Sequence, residues 1–152
     1  QNSQLFRKIK DKTNFIKGSV ENNNDWIKAL KGQDAVIHLA AETGTGQSMY
    51  EINKYVSVNI GGTAMLMDIL TNGKHTIKKV IVASSRAIYG EGKYFCAKHG
   101  NVYPETRKDK DLIKGDYNCK CPICNNKVKL LPTTEDSRIH PASVYGITKQ
   151  NQ

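Results

Sequence analysis

The sequence predicts an α/β fold built on a parallel sheet and interrupted by a cysteine-bearing insertion. Three observations predict it. Residues 34–41 and 79–84 contain near-continuous apolar runs, Ala35-Val-Ile-His-Leu-Ala-Ala41 and Val80-Ile-Val-Ala83, of the kind that buries both faces of a parallel strand. Between them, residues 48–71 read as helical, with Val56, Ile60, Ala64 and Met67 on one stripe and Asn59, Gly62, Leu66 and Ile69 on its neighbour. Strand, helix and strand in this order imply a right-handed parallel crossover. After Gly90 the pattern breaks. Residues 91–132 mix glycine, lysine, cysteine and tyrosine without a sustained period, over too long a stretch for an ordinary loop, and read as an insertion with its own support.

The remaining elements follow in order. Residues 14–17 are a short strand candidate. Residues 24–30 read as a helix opened by an Asn/Asp cap, with Trp26, Ile27 and Leu30 turned inward. Structure resumes at Pro141-Ala-Ser-Val-Tyr145, where proline and serine precede a final helical segment. The expected organisation is therefore residues 1–90 as a first α/β part, 91–132 as the insertion, and 133–152 as a return to the first part. No internal repeat or low-complexity tract is visible.

The 152 residues allow one ordinary domain with a sizeable core, and equally a fragment. The formal charge is +9, from 23 Lys+Arg against 14 Asp+Glu. Lysines such as Lys8, Lys12, Lys28, Lys31, Lys74 and Lys79 are scattered without aromatic interleaving, which suits a solvated surface rather than a nucleic-acid groove. No stretch reaches the apolar length of a membrane span and the first twelve residues lack a hydrophobic signal core, so the expectation is a soluble, cytoplasmic protein.

The strongest chemical signal is Tyr145-Gly-Ile-Thr-Lys149, taken with Ser84-Ser-Arg-Ala-Ile-Tyr-Gly90 at the end of the second apolar run. A tyrosine and a lysine four residues apart share a helical face, where the ammonium can lower the phenol's pKa and make it a usable proton acceptor. Ligands of open parallel sheets bind beyond the carboxyl ends of the strands, where Glu42-Thr-Gly-Thr-Gly-Gln-Ser48 and the serine pair both fall. His38 lies within its strand and reads as a satisfied core histidine.

Four segments together resemble the extended short-chain dehydrogenase/reductases of the NAD-dependent epimerase/dehydratase family. They are Asp34-Ala-Val-Ile-His-Leu-Ala-Ala41, Asn59-Ile-Gly-Gly-Thr63, Ser84-Ser-Arg-Ala-Ile-Tyr-Gly90 and Pro141-Ala-Ser-Val-Tyr-Gly-Ile-Thr-Lys149, in the family's order. The resemblance implies a partial Rossmann-like doubly wound parallel sheet. It implies Tyr145 as general base and acid, Lys149 holding the cofactor ribose, and Ser85 bonded to the reacting sugar hydroxyl. Val20, Leu39, Ala40, Ala41 and Thr43 would line NAD, with Asn59 supporting it from the helix behind. For Asn59 the alternative is a buried hydrogen-bonding helix residue.

The implied partner is a nucleotide sugar and the implied assembly a homodimer of the full-length protein. The 4,6-dehydratases of the family place an Asp-Glu pair after the catalytic serine, where this chain has Arg86-Ala87, so reversible oxidation and epimerisation fit better than elimination of water. A dehydratase or reductase of the same family is the alternative. The segment Gly44-Thr-Gly-Gln-Ser-Met-Tyr-Glu-Ile52 is most similar to nucleotide-sugar 4-epimerases acting on dTDP-linked deoxysugars.

The chain departs from the family at its ends. The opening strand, its glycine-rich phosphate turn and the second strand are not in the sequence, and Lys17-Gly18-Ser19-Val20 has serine where the family usually has aspartate. The chain ends three residues after Lys149. The expectation is a fragment lacking the first two strands, with a gap at the sheet centre and an open apolar face, which on its own binds NAD poorly or not at all and is inactive.

Within the insertion, Cys96-Ala-Lys-His99-Gly and Cys121-Pro-Ile-Cys124-Asn form two knuckles with two residues between each ligand pair, a zinc-ribbon-like arrangement suited to a closed tetrahedral site. Cys119 is then a spare or replaces His99, and a loop of free cysteines is the alternative to zinc. A basic ribbon that binds nucleic acid or protein is the competing functional class. Glu105, Asp109, Asp111 and Asp116 among the insertion's lysines count against it.

Overall fold

The computed structural model describes residues 3–152. Helix α1 (Gln4–Ile9) buries no residue and runs into a 3-10 turn at Lys10–Lys12. Residues 14–17 do not form the expected strand. The two strands of the parallel sheet pair only with each other, so this segment has no ladder to join. Its Phe15 instead meets Phe6 edge-on, with ring centroids 5.0 Å apart.

Helix α2 (Asn23–Leu30) opens where expected, because Asn22 Oδ1 accepts the backbone N–H groups of Asn24 and Asp25 at 2.9 and 3.2 Å. Trp26 and Leu30, one turn apart, are buried. Ile27 corrects the sequence reading: it lies about 100° further round the helix and stays 52 % exposed.

Strands β1 (Ala35–His38) and β2 (Lys79–Val82) pair in parallel, with Ala35 opposite Lys79 and His38 opposite Val82. Both are shorter than their apolar runs, and residues 39–41 have left the ladder. The expectation that both faces are buried also fails. Val36 and Val80 pack against the helices, while the alternate residues Ile37 and Ile81 are 65 % and 48 % exposed. No gap separates the two strands; what stands open is one face and the outer edges.

The segment expected as one helix is four pieces: a 3-10 turn at Gln47–Met49, helix α3 (Ile52–Tyr55), a π-helical stretch at Val56–Gly61, and helix α4 (Gly62–Asn72). The stripe containing Asn59, Gly62 and Leu66 is buried. Trp26, Leu30 and fully buried Leu66 form the core between α2, α4 and the sheet, joined by Val20, Met65, Ile69 and Ile77. Burying Leu66 contributes about 2 kcal/mol.

The insertion has its own core of Tyr94, Cys96, Val102, Cys119 and Cys121. Strands β3 (Tyr94–Cys96), β4 (Gly100–Val102) and, after helix α5 (Asp109–Leu112), β5 (Lys129–Leu130) form an antiparallel sheet in the order β4-β3-β5. Lys120 pins the long connection by pairing with Asp111 at 2.8 Å and Asp116 at 3.1 Å. The chain then returns beside its entry, Leu131 N–H bonding to the Lys93 carbonyl at 3.0 Å, and ends in helix α6 (Val144–Asn151). Among the described residues no helix is long and apolar enough to cross a membrane.

Candidate active site and metal centre

The chain leaves β2 into an extended Ser85 whose Oγ accepts the Ala87 N–H at 3.2 Å and so opens the 3-10 turn Arg86–Tyr89. This turn lies against α6 at Gly146. A Cβ there would stand 2.7 Å from the Ala87 carbonyl oxygen and 3.1 Å from Pro141 Cβ, so only glycine permits the approach.

The start of α6 is fastened by two serines. Ser143 Oγ caps the Gly146 N–H at 3.0 Å, and buried Ser48 Oγ accepts the Tyr145 N–H at 3.0 Å while donating to the Thr45 carbonyl at 2.6 Å. The result places Ser85 and Tyr145 on one cleft of about 400 Å3, lined also by Thr45, Arg86, Glu91 and Thr106.

Tyr145 has the ring of Tyr55 edge-on at 6.4 Å. Tyr55 is fully buried and donates to the Thr43 carbonyl at 2.6 Å. Burial, reinforced by Glu42 and Glu51, holds its phenol above the ordinary range and keeps it a neutral donor.

Lys149 is buried on α6, but its ammonium hydrogen-bonds to Gln152 Oε1 rather than to the Tyr145 phenol. Burial pushes its pKa down. Gln152 Nε2 in turn lies 3.1 Å from His38 Nε2, which is 3.0 Å from Thr63 Oγ1. His38 is only 3 % exposed, and burial first, then the Lys149 charge, lowers its pKa. This histidine belongs to the framework, as its place in the strand suggests.

Asn59 is fully buried and engages both ends of its side chain. Its Oδ1 accepts the Glu42 N–H at 2.8 Å, and its Nδ2 donates to the Glu42 carbonyl at 3.1 Å and to Thr148 Oγ1 at 2.9 Å. It therefore ties the loop after β1 to α6. Leu39, Ala40 and Thr43 are exposed and Ala41 half-buried on that loop, beyond the carboxyl end of β1. Val20 is committed inward: its carbonyl accepts the Trp26 indole N–H at 2.8 Å and its side chain lies against Gly62.

In the insertion, Cys96, His99, Cys121 and Cys124 bring their ligand atoms within 4.8 Å of one another. Cys96 Sγ is 3.7 Å from Cys124 Sγ and 3.6 Å from His99 Nδ1, and Cys121 Sγ is 3.4 Å from His99 Nδ1. A tetrahedron with Zn–S of ~2.3 Å and Zn–N of ~2.0 Å requires edges of about 3.8 Å between sulfurs and about 3.5 Å between sulfur and nitrogen. The residues fit such an ion. Each knuckle is followed by a left-handed residue, Gly100 at φ 69° and Asn125 at φ 58°. Burial opposes ionisation of Cys121, but the backbone N–H groups of Cys124 and Ile123 and the His99 side chain bring its pKa down to about 6. Cys119 stands outside the group, with its Sγ 3.2 Å from Tyr94 Oη.

Thr148, Glu91 and Thr106 have site positions that sequence reasoning missed, and Ser48, which ends a loop singled out there, has a fastening role not assigned to it. Thr148, inside the Tyr145–Lys149 segment, carried a local signal; Glu91 and Thr106 arrive from the insertion.

A model of the NAD dependent epimerase/dehydratase family matches residues 1–109. A dTDP-L-rhamnose 4-epimerase from Burkholderia thailandensis is 33% identical over 147 residues, which are 95% of this chain and 39% of that protein. UDP-glucose 4-epimerase 3 from Oryza sativa subsp. japonica is 35% identical over 79 residues, 51% of this chain and 21% of that protein. The chain thus spans well under half the length of either relative. Among solved structures, UDP-glucose 4-epimerase from Brucella ovis in complex with NAD is 27% identical, with a TM-score of 0.58 covering 90% of this chain and 31% of that one.

Proposed function

Because the chain belongs to the NAD-dependent epimerase/dehydratase family, we propose that it carries the proton-transfer centre of an NAD-dependent nucleotide-sugar 4-epimerase. The observation that carries this reading is the shared cleft of Ser85 and Tyr145 at the carboxyl end of β2. Ser85 Oγ accepts one backbone N–H and keeps its own hydrogen to donate to a sugar oxygen. Tyr145, as its phenolate, takes the proton of the reacting hydroxyl and, as the phenol so formed, returns it to the same oxygen. Lys149 and the loop residues Leu39, Ala40, Ala41 and Thr43 would hold NAD. When bound, NAD supplies hydride acceptance and return. Asn59 supports that loop through Glu42 rather than by a contact of its own.

Inversion rather than elimination is supported by Arg86 and Ala87, neither of which can act as the acid that expels water. The test is proton NMR of UDP-glucose and dTDP-hexoses incubated with NAD and the full-length protein that carries this segment, since the 152 residues alone are expected to bind NAD poorly. C4 epimers are expected, and Tyr145→Phe lowers the rate at least ~100-fold. Products that have lost water, or no turnover at all, would overturn the reading.

For the insertion, we infer a structural zinc ion held by Cys96, His99, Cys121 and Cys124. Four protein ligands leave no open position, so the ion organises the fold rather than the reaction. Elemental mass spectrometry is expected to find one zinc per chain, lost in Cys121→Ser together with the insertion's near-ultraviolet circular dichroism. A metal-free protein with four titratable thiols would refute it.

A further inference from the structure

The cleft holding Ser85 and Tyr145 is not built by the α/β part alone. Glu91, at the start of the insertion, and Thr106, on the connection between β4 and α5, line it too. The insertion interrupts the chain between the Ser85 turn and the Tyr145 helix, so its root stands at the cleft. Glu91 is firmly held there. Arg107 Nη1 donates to its Oε1 at 3.0 Å and lies 3.0 Å from Oε2, and the Cys119 thiol approaches Oε2 at 3.7 Å. Arg107 is itself fixed by its Nε–H bond to the Tyr117 carbonyl at 2.8 Å. Cys119 belongs to the insertion's buried core. The placement of Glu91 is therefore continuous with the packing around the cysteine knuckles.

Resting on the epimerase reading above, we propose that the insertion forms a substrate-recognising wall of this cleft. In it, Glu91 is a specificity-determining residue that accepts a hydrogen bond from a hydroxyl of the pyranose ring. A carboxylate paired with a guanidinium only accepts hydrogen bonds, and its two oxygens have about four acceptor positions, more than the recorded contacts use. Arg107 offsets the charge of Glu91, so what the carboxylate offers the cleft is acceptor positions for hydroxyl groups, while the positive charge in the lining is that of Arg86. The neighbouring Thr45, Ser85, Thr106 and Tyr145 give the cleft the hydroxyl-rich lining that suits a ring carrying several hydroxyls.

The test compares the full-length protein carrying this segment, as wild type, Glu91→Ala and Thr106→Val, with NAD on UDP-glucose, dTDP-hexoses and their monodeoxy analogues. Glu91→Ala is expected to raise the sugar-nucleotide KM about 10- to 100-fold with kcat nearly unchanged. It also ceases to discriminate against the one monodeoxy analogue that wild type disfavours. Thr106→Val leaves the Glu91–Arg107 pair intact and serves as a second probe of the same wall, with KM raised and kcat kept. If Glu91→Ala disrupts the insertion, shown by lost metal, Thr106→Val decides, and an unchanged KM there overturns the proposal. Active wild type with an unchanged KM in a correctly folded Glu91→Ala overturns the wall alone. Wild type that turns over no nucleotide sugar overturns the epimerase reading and the wall with it.

Discussion

Replacing Asn59 by alanine separates its two expected roles, support of the cofactor and support of the framework. The side chain makes three hydrogen bonds, two to the backbone of Glu42 and one to Thr148. At about 1 kcal/mol net for each, the loss is about 3 kcal/mol. Unfolding entropy near 2.1 cal/mol/K per residue gives about 0.3 kcal/mol/K for a chain of this size, so Tm falls by about 9 °C. Thermal unfolding followed by circular dichroism measures it, with urea titration as a check. Thr148→Val in the same protein isolates the bond across to α6, and the double-mutant cycle is expected to show a coupling near 1 kcal/mol. A Tm change within about 2 °C, or sites that combine additively, would show that Asn59 does not join the loop to the helix and would refute this reasoning.

Three further outcomes follow from the same structure. Gly146→Ala forces the Ser85 turn and α6 apart by several tenths of an ångström; ~1 kcal/mol of improved helix propensity offsets part of the overpacking, so Tm changes little while kcat falls ~10-fold or more. Equal kcat in the variant would sink the argument for close approach. His38 has a lowered pKa when folded, so the unfolded chain binds the extra proton first as pH drops below about 6.5; stability is lost below that pH and is intact above it. Denaturant midpoints measured between neutral pH and pH 5 should fall less in His38→Asn, and parallel profiles would exclude His38 as the cause. Leu66→Ala empties a fully buried position and is expected to cost 2 to 5 kcal/mol, as a shift in urea midpoint at constant m; a loss near zero would mean that α4 does not seal this core.

Much of the α/β part was legible because its apolar runs and helical stripes are local patterns. An Asn/Asp cap near residue 24 and the serine before the last helix were equally visible, since cap chemistry lies within a few residues of the helix it starts; the structure assigns them to Asn22 and Ser143. The expected strand at residues 14–17 failed for a non-local reason: strand formation needs a neighbour, and the segment itself cannot supply one. Burial of both faces of β1 failed likewise, since an apolar residue such as Ile37 records what it can pack against and not what is present. The strands of the insertion are two or three residues long, too short to show a period, although the cysteine and histidine spacing located its centre. Glu91 and Thr106 reach the cleft from separate segments, and polar residues in loops give no pattern by which to find them. The bond from Lys149 to Gln152 was hidden because a four-residue spacing fixes a helix face but not the partner chosen on it.

The π-helical stretch at Val56–Gly61 makes the helix behind the cleft sensitive to counting. Such a stretch accommodates an extra residue within the helix. Each residue turns an α-helix by about 100°, so removing one from this stretch would leave either the Leu66 side or the Tyr55 side rotated out of its present contact. A substitution here changes one side chain, whereas a single deletion re-aims every side chain on one flank. Length is therefore a functional variable in this segment, and a chain differing from this one by one residue between Tyr55 and Gly62 would not present Asn59, Tyr55 and Leu66 together.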